Sequence, residues 1–279
     1  MKFDLRERAA EHRLIVSHRG VSGGNIPCNT LTSYEIALLQ GADMLETDLS
    51  TTADGRLVIL HPKMEQRHLG AEVGCDITKM TFDEVQKLRY VNYDRTRTQF
   101  GLVPFDDFLE TFRGRCFINV DKFWGNPEEI YRAIKRHGML DQVLVKSAVS
   151  EEILRVLEEL APELAFMPIV SEEHPMHEEL LRRKLNYVGV EVLFREEDSA
   201  LASPAFMERM HRDGTLVWVN SIIYDVRHQL SGGHSDDTAF TESMDYGWGW
   251  LADRDFDLIQ TDWPGMMIEY LKRTGRYTR

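Results

Sequence analysis

A chain of 279 residues with 43% hydrophobic and 28% charged residues can bury a large core, and α/β barrels of about 250 residues are routine single domains. A net charge of -13 excludes nucleic acid as a partner and leaves room for a small phosphate only where a cation or an arginine reverses the field locally. No apolar run approaches the roughly 18 residues of a membrane helix, and MKFDLRERAAEHR is too charged for a signal peptide. Cys28, Cys75 and Cys116 neither close a disulfide framework nor have metal-ligand spacing, so a cytoplasmic protein with reduced thiols is expected.

From Leu14 onward, short apolar runs alternate with helix-like segments, the pattern of parallel βα units. Eight such runs fall at 14–18, 44–48, 116–121, 143–147, 164–170, 187–192, 215–220 and 257–261, which predicts a closed (β/α)8 TIM barrel spanning residues 1–279 as one domain. A ninth run, 57–61, follows the turn signal Asp54-Gly55 and is expected to return antiparallel to 44–48 as a β-hairpin; a simple count across that turn pairs Asp48 with His61. Thr32 with Glu35 fits a capping box and Gly41 a helix end, while Pro127, Ser150, His177, Pro204 and Pro264 open further helices. Two connections exceed a plain βα loop: an insertion at about 62–103 after the second strand, and the long loop 221–254 between the seventh and eighth strands.

The stretch MLETDLSTTADGRLVILH carries the chemistry. In an extended chain Glu46 and Asp48 share a face, and two carboxylates on one face repel unless a cation or proton lies between them. Asp121 ends the third barrel strand, and Glu46, Asp48 and Asp121 form a hard oxygen set that suits Mg²⁺ or Ca²⁺ better than Zn²⁺. His18 and His61 suit general acid and base duty, and Arg19 offers a fork matched to two phosphate oxygens. Lys146-Ser147, Glu191, Asn220 and Thr261-Asp262 end the remaining barrel strands that carry polar residues, where barrel sites are built.

The motifs His18-Arg19-Gly20, Pro27-Cys28-Asn29-Thr30, Gly41-Ala42-Asp43 leading to Glu46-Thr47-Asp48, Thr52-Ala53-Asp54-Gly55 through Val58 to His61, Ile77-Thr78 with Met80-Thr81, and Leu258 through Pro264 resemble the glycerophosphodiester phosphodiesterase family over most of the chain. The resemblance implies a TIM barrel that uses a divalent cation to cleave a small-molecule glycerophosphodiester into an alcohol and glycerol phosphate. It assigns catalysis to His18 and His61, phosphate binding to Arg19, and the metal to Glu46, Asp48 and Asp121. In the family a neighbouring substrate hydroxyl attacks phosphorus first, giving a cyclic intermediate that water opens.

Three departures accompany it: Cys28 replaces a carboxylate, Pro62 replaces the acid after the second histidine, and Asp121-Lys122-Phe123 replaces Glu-x-Lys. Strand alternation sends Lys122 away from the face of Asp121, so Lys146 is expected to supply the missing ammonium. In the long loop, Trp248 and Trp250, with Tyr246, either stack on a sugar or lipid head group or pin the loop to its barrel; Asp236 and Asp237 bind substrate hydroxyls or cap a turn. Besides a hydrolase, two readings stay open: a cyclising phosphodiester lyase of the sphingomyelinase D kind, and a barrel that binds a phosphate ligand without catalysis.

Overall fold

Ten strands form in the computed structural model, which describes every residue except 1, 2, 71, 73, 225, 226 and 279. They are β1 (Leu14–His18), β2 (Met44–Thr51), β3 (Leu57–Ile59), β4 (Val103–Pro104), β5 (Phe117–Asp121), β6 (Val143–Ser147), β7 (Ala165–Ser171), β8 (Gly189–Leu193), β9 (Leu216–Asn220) and β10 (Leu258–Thr261). Eight are parallel neighbours in the order β1-β10-β9-β8-β7-β6-β5-β2, and β1 pairs with β2, so the barrel closes as the apolar runs predict. Helices flank it, and no described helix is long and apolar enough to cross a membrane.

Period-two alternation sorts the strand residues into two layers. Ile15, Leu45, Ile118, Val120, Val145, Val190, Val192, Val217, Val219 and Ile259 belong to the large core beneath the helices. Leu14, Val16, Met44, Phe117, Leu144, Met167, Leu216, Trp218 and Leu258 fill the barrel interior, joined there by Leu5 and Ala9 of the N-terminal helix Leu5–Glu11. Trp218 is the largest residue of that inner plug, and the Lys146 ammonium lies 3.8 Å above its ring. The floor under the strand ends is therefore dry and filled.

β2 is longer than its barrel partners: Met44 to Asp48 pair with β5, and Leu49 to Thr51 project beyond it to pair with β3. The hairpin forms, but its register differs by one residue from the count across Asp54-Gly55. Thr52 N–H donates to Arg56 O and Gly55 N–H to Thr52 O, so the loop has three residues with Gly55 at φ 81°, and Leu60 rather than His61 faces Asp48. His61 comes just after the strand, free of its pleat.

The first barrel helix, Leu31–Leu39, starts earlier than the Thr32–Glu35 signal. Thr30 and Ser33 form the capping box, and Glu35 instead pairs with Arg115 at 2.6 Å on the surface. Gly41 ends this helix at φ 94°, as expected, and Pro127, Ser150, His177, Pro204 and Pro264 lie at or just before helix starts. The insertion has its own small core of Val58, Leu60, Leu69, Ile77, Val85, Tyr90 and Leu102, with Tyr90 donating its hydroxyl to Ile59 O at 3.0 Å.

In the aromatic loop the second of the two readings, pinning, describes Trp248 and Trp250. Trp248 is fully buried against Phe240 and Tyr270, with its N–H donated to Asp236 Oδ1 at 2.8 Å. Trp250 is stacked between the His234 ring, 3.7 Å away, and the Arg254 guanidinium, 3.3 Å away, and donates to Glu197. Both pin the loop to the barrel and neither is a substrate platform. Their indole N–H groups find partners inside the protein, which keeps the rings inward.

Two measurements test this packing. Trp250→Ala is expected to cost about 3–5 kcal/mol in urea unfolding; a loss below about 1 kcal/mol would return the ring to the surface. His174, bonded to Tyr187 at 2.8 Å, is pushed down to about 4 by burial and by His177 and Arg209 beside it. The folded chain thus favours the neutral ring, so its contribution is intact above the unfolded value near 6.5 and is lost as pH falls from there toward 4, by roughly 2–3 kcal/mol. His174→Gln should flatten stability against pH in that window, and an unaltered slope would contradict the account.

Candidate active site

The parallel register delivers the carboxylates. His18 faces Glu46 across β1 and β2, Glu46 faces Asn119, and Asp48 faces Asp121 across β2 and β5. One oxygen of each of Glu46, Asp48 and Asp121 lies within 4.8 Å of the others. Glu46 and Asp48 are 2% and 0% exposed, so water cannot spread their charge. Burial, with Asp48 and Asp121 alongside, pushes the Glu46 carboxyl upward. Burial acts the same way on Asp121, but the ammonium groups of Lys122 and Lys146 outweigh it and hold that carboxyl down.

Local backbone geometry brings the cations to this cluster. Arg19 and Gly20 both have positive φ, 57° and 75°, and a Cβ on Gly20 would meet the Ser33 carbonyl carbon at 2.6 Å, so only glycine fits. The turn aims the Arg19 N–H at Glu46 Oε2, 3.1 Å away, and returns the guanidinium to Asp48, with Nε 2.7 Å from Oδ2. Asn29, at φ 58°, donates to the same oxygen at 3.4 Å and is held by the Tyr34 hydroxyl, which also contacts Thr47 Oγ1. Asp48 Oδ1, by contrast, is buried with no hydrogen-bond partner among the described residues; His61 Nε2 and Lys122 Nζ stand 3.9 Å and 3.8 Å from it. An unpartnered carboxylate oxygen between two further acids fits a hard divalent cation.

The two histidines are held differently. His18 Nδ1 is 2.8 Å from Asp262 Oδ1. Burial opposes its charge, but the Asp262 hydrogen bond and field prevail and raise it above the usual histidine value. His61 Nδ1 is 2.9 Å from the Pro62 carbonyl, which can only accept, so the proton sits on Nδ1 and Nε2 presents a lone pair toward Asp48. Burial lowers His61, with Arg19 and Lys122 adding to it against Asp48. Pro62, which lacks a polar side chain, orients the imidazole through its backbone.

Lys122 departs from strand alternation. It follows the last residue of β5 at φ 64°, and this left-handed step folds its side chain back onto Asp121, Nζ to Oδ2 2.5 Å. Lys146 also reaches the mouth but is bound to Glu191 at 2.8 Å, so Lys122 and Lys146 both face the acids, where alternation assigned the role to Lys146 alone. Asp236, buried beneath Asp262, accepts from its backbone N–H at 2.9 Å and from Ser221, Thr261 and Trp248, anchoring the loop that orients His18.

A cavity of about 100 Å³ at this mouth is lined by His18, Arg19, Glu46, Asp121, Lys122, Lys146, Glu191, Asn220 and Gln260, with Trp124 and Tyr224 at its edge. Trp248 and Trp250 do not line it. Gln260 Oε1 is buried there without a hydrogen-bond partner among the described residues, as a hydroxylated ligand would require. A wider groove of about 530 Å³ opens outside, and His18 and Arg19 border both spaces. Strand ends alone had pointed to Asp262 without its role; Trp124 and Tyr224 carried no signal apart from being aromatic.

A family model described as a domain of unknown function matches residues 166–271. The glycerophosphodiester phosphodiesterase of Caldanaerobacter subterraneus is 29% identical over 54% of this chain and 64% of its own length, so the chain matches just under two thirds of that relative. The Bacillus subtilis protein of the same name is 29% identical over 54% of this chain and 57% of its own length. Among solved structures, a glycerophosphoryl diester phosphodiesterase from Parabacteroides distasonis superposes with a TM-score of 0.77 at 17% identity, covering 95% of this chain and 88% of that one. A phosphodiesterase from Oleispira antarctica, solved in complex with the product sn-glycerol-3-phosphate, gives a TM-score of 0.70 at 21% identity, covering 94% of this chain and 97% of its own. In sequence the chain is similar to glycerophosphodiester phosphodiesterases over about half of its length, and in fold it matches the barrel of solved phosphodiesterases.

Proposed function

We propose that this protein is a divalent-metal-dependent phosphodiesterase that hydrolyses a glycerophosphodiester, or a related polyol phosphodiester, to an alcohol and a phosphomonoester. The observation that carries the reading is the convergence of Glu46, Asp48 and Asp121 beside Arg19, with His18 and His61 held in opposite protonation tendencies at the same barrel mouth. Two titratable groups pushed apart by their surroundings are what an acid and base pair needs. The product-bound Oleispira antarctica relative supports the substrate class.

Glu46, Asp48 and Asp121 would hold Mg²⁺ or Ca²⁺, and the cation, when bound, offsets negative charge on the phosphoryl oxygens. The inner cavity, with Glu191, Asn220, Lys146 and Gln260, offers hydrogen bonds to the polyol hydroxyls. Arg19, anchored on Asp48, stabilises charge at phosphorus. His61 Nε2 takes the proton of the vicinal polyol hydroxyl, whose oxygen attacks phosphorus, while His18 passes its proton to the departing alcohol oxygen. In the second half His18 takes a proton from water, the water oxygen attacks the cyclic phosphate, and His61 returns its proton to the ring oxygen as that bond breaks. One water is consumed, and both histidines end as they began.

The reading is tested with a panel of glycerophosphodiesters in EDTA, followed by readdition of Mg²⁺ or Ca²⁺. Turnover is expected only with metal, and Asp48→Asn should abolish the metal response while circular dichroism stays unchanged. His61→Ala should lower kcat by about 10²–10⁴. Full turnover in EDTA, or an unaffected Asp48→Asn variant, would overturn it, and a lasting cyclic phosphate without uptake of labelled water would make the enzyme a lyase.

A further inference from the structure

We propose that the groove outside the barrel mouth selects phosphodiesters whose departing alcohol carries a further negative charge, such as a second phosphate. The inference rests on the phosphodiesterase reading above and names the substrate class within it. Because His18 and Arg19 border both the inner cavity and the outer groove, a phosphorus held at them sends one ester arm into each. The inner space of about 100 Å³ takes a small polyol. The other arm enters the groove of about 530 Å³ along Cys28, Met64, Arg67 and His68, which continues into about 630 Å³ bordered by Arg67, Tyr93 and Arg95.

The charge along this exit is one-sided. Among the described residues lining the two spaces, Asp262 is the only acid, and its carboxylate is bonded to His18; the cations are Arg19, Arg67 and Arg95. Arg19 is paired with Asp48, but Arg67 makes no ion pair among the described residues, and Arg95 donates only to the Gln66 carbonyl at 3.3 Å. Burial pushes the Cys28 thiol up to about 12, so the groove floor contributes no negative charge. His68 is pushed down to about 4 by burial and by Arg19 and Arg67, a local sign of the same positive field. In a chain of net charge -13, two guanidinium groups without carboxylate partners among the described residues along this groove are matched by an anion on the outgoing arm.

The test compares glycerophosphoglycerol with the same diester phosphorylated on its far glycerol. Wild type should favour the phosphorylated compound in kcat/KM by about tenfold, carried mainly by KM, and added salt should shrink the preference. Arg67→Gln should narrow the ratio and the double variant with Arg95→Gln should abolish it; both arginines are exposed, so the fold is not at stake. A ratio near one in wild type, or a preference that survives in the double variant, would overturn the inference and leave the phosphodiesterase reading standing. Calorimetric binding of the two compounds to His61→Ala gives an independent readout. If wild type cleaves neither compound, the parent reading fails, and tighter binding of the phosphorylated compound that needs Arg67 and Arg95 still decides the groove.

Discussion

Three carboxylates, two of them buried, are crowded into the barrel mouth, and their mutual repulsion is the constraint around which the surrounding structure is arranged. Asp48 shows it best: it is fully buried, one oxygen is taken by Arg19 and Asn29, and the other has no hydrogen-bond partner among the described residues. Removing such charge from water is costly unless cations gather around it. Arg19 and Lys122 do gather, each through a left-handed backbone residue placed just past a strand end. A bound divalent cation would satisfy the remaining oxygen, and the site is in this sense built around a charge it does not itself supply.

The supports for this cluster lie in separate parts of the chain. The inner plug of Trp218 and its apolar neighbours prevents the acids from relaxing into the barrel, while Asn29, just before the first barrel helix, and Tyr34 within it fix the Asp48 side. On the opposite side the long loop supplies Asp236, which holds the Asp262 backbone, and Asp262 in turn holds His18. The buried indoles of Trp248 and Trp250 keep that loop in place. Stability of the loop and orientation of His18 are thus one problem, because the same Asp236 carboxylate serves both.

Much of this was legible in the residues. Eight apolar runs located the eight barrel strands because a parallel strand buried on both faces reads as a continuous apolar segment. Glu46, Asp48 and Asp121 could be placed together because period-two alternation and parallel register determine strand-end geometry. What escaped were features decided by a single backbone torsion or by tertiary packing. The hairpin slipped by one residue because Gly55 takes a left-handed step in a three-residue loop, and Lys122 reversed its face because its own φ is positive. The helix cap moved from Thr32 to Thr30 because Asn29 turns the chain just before it. Of the two readings open for Trp248 and Trp250, the inward one holds because Asp236 and Glu197 accept their N–H groups, partners that no local pattern announces.

The central claim, that the acid cluster is a metal centre, is tested most directly by anomalous diffraction from crystals soaked in Mn²⁺. The account predicts one strong peak about 2.0–2.6 Å from oxygens of Glu46, Asp48 and Asp121. An empty cluster, or a peak bound only to other acids, would contradict it.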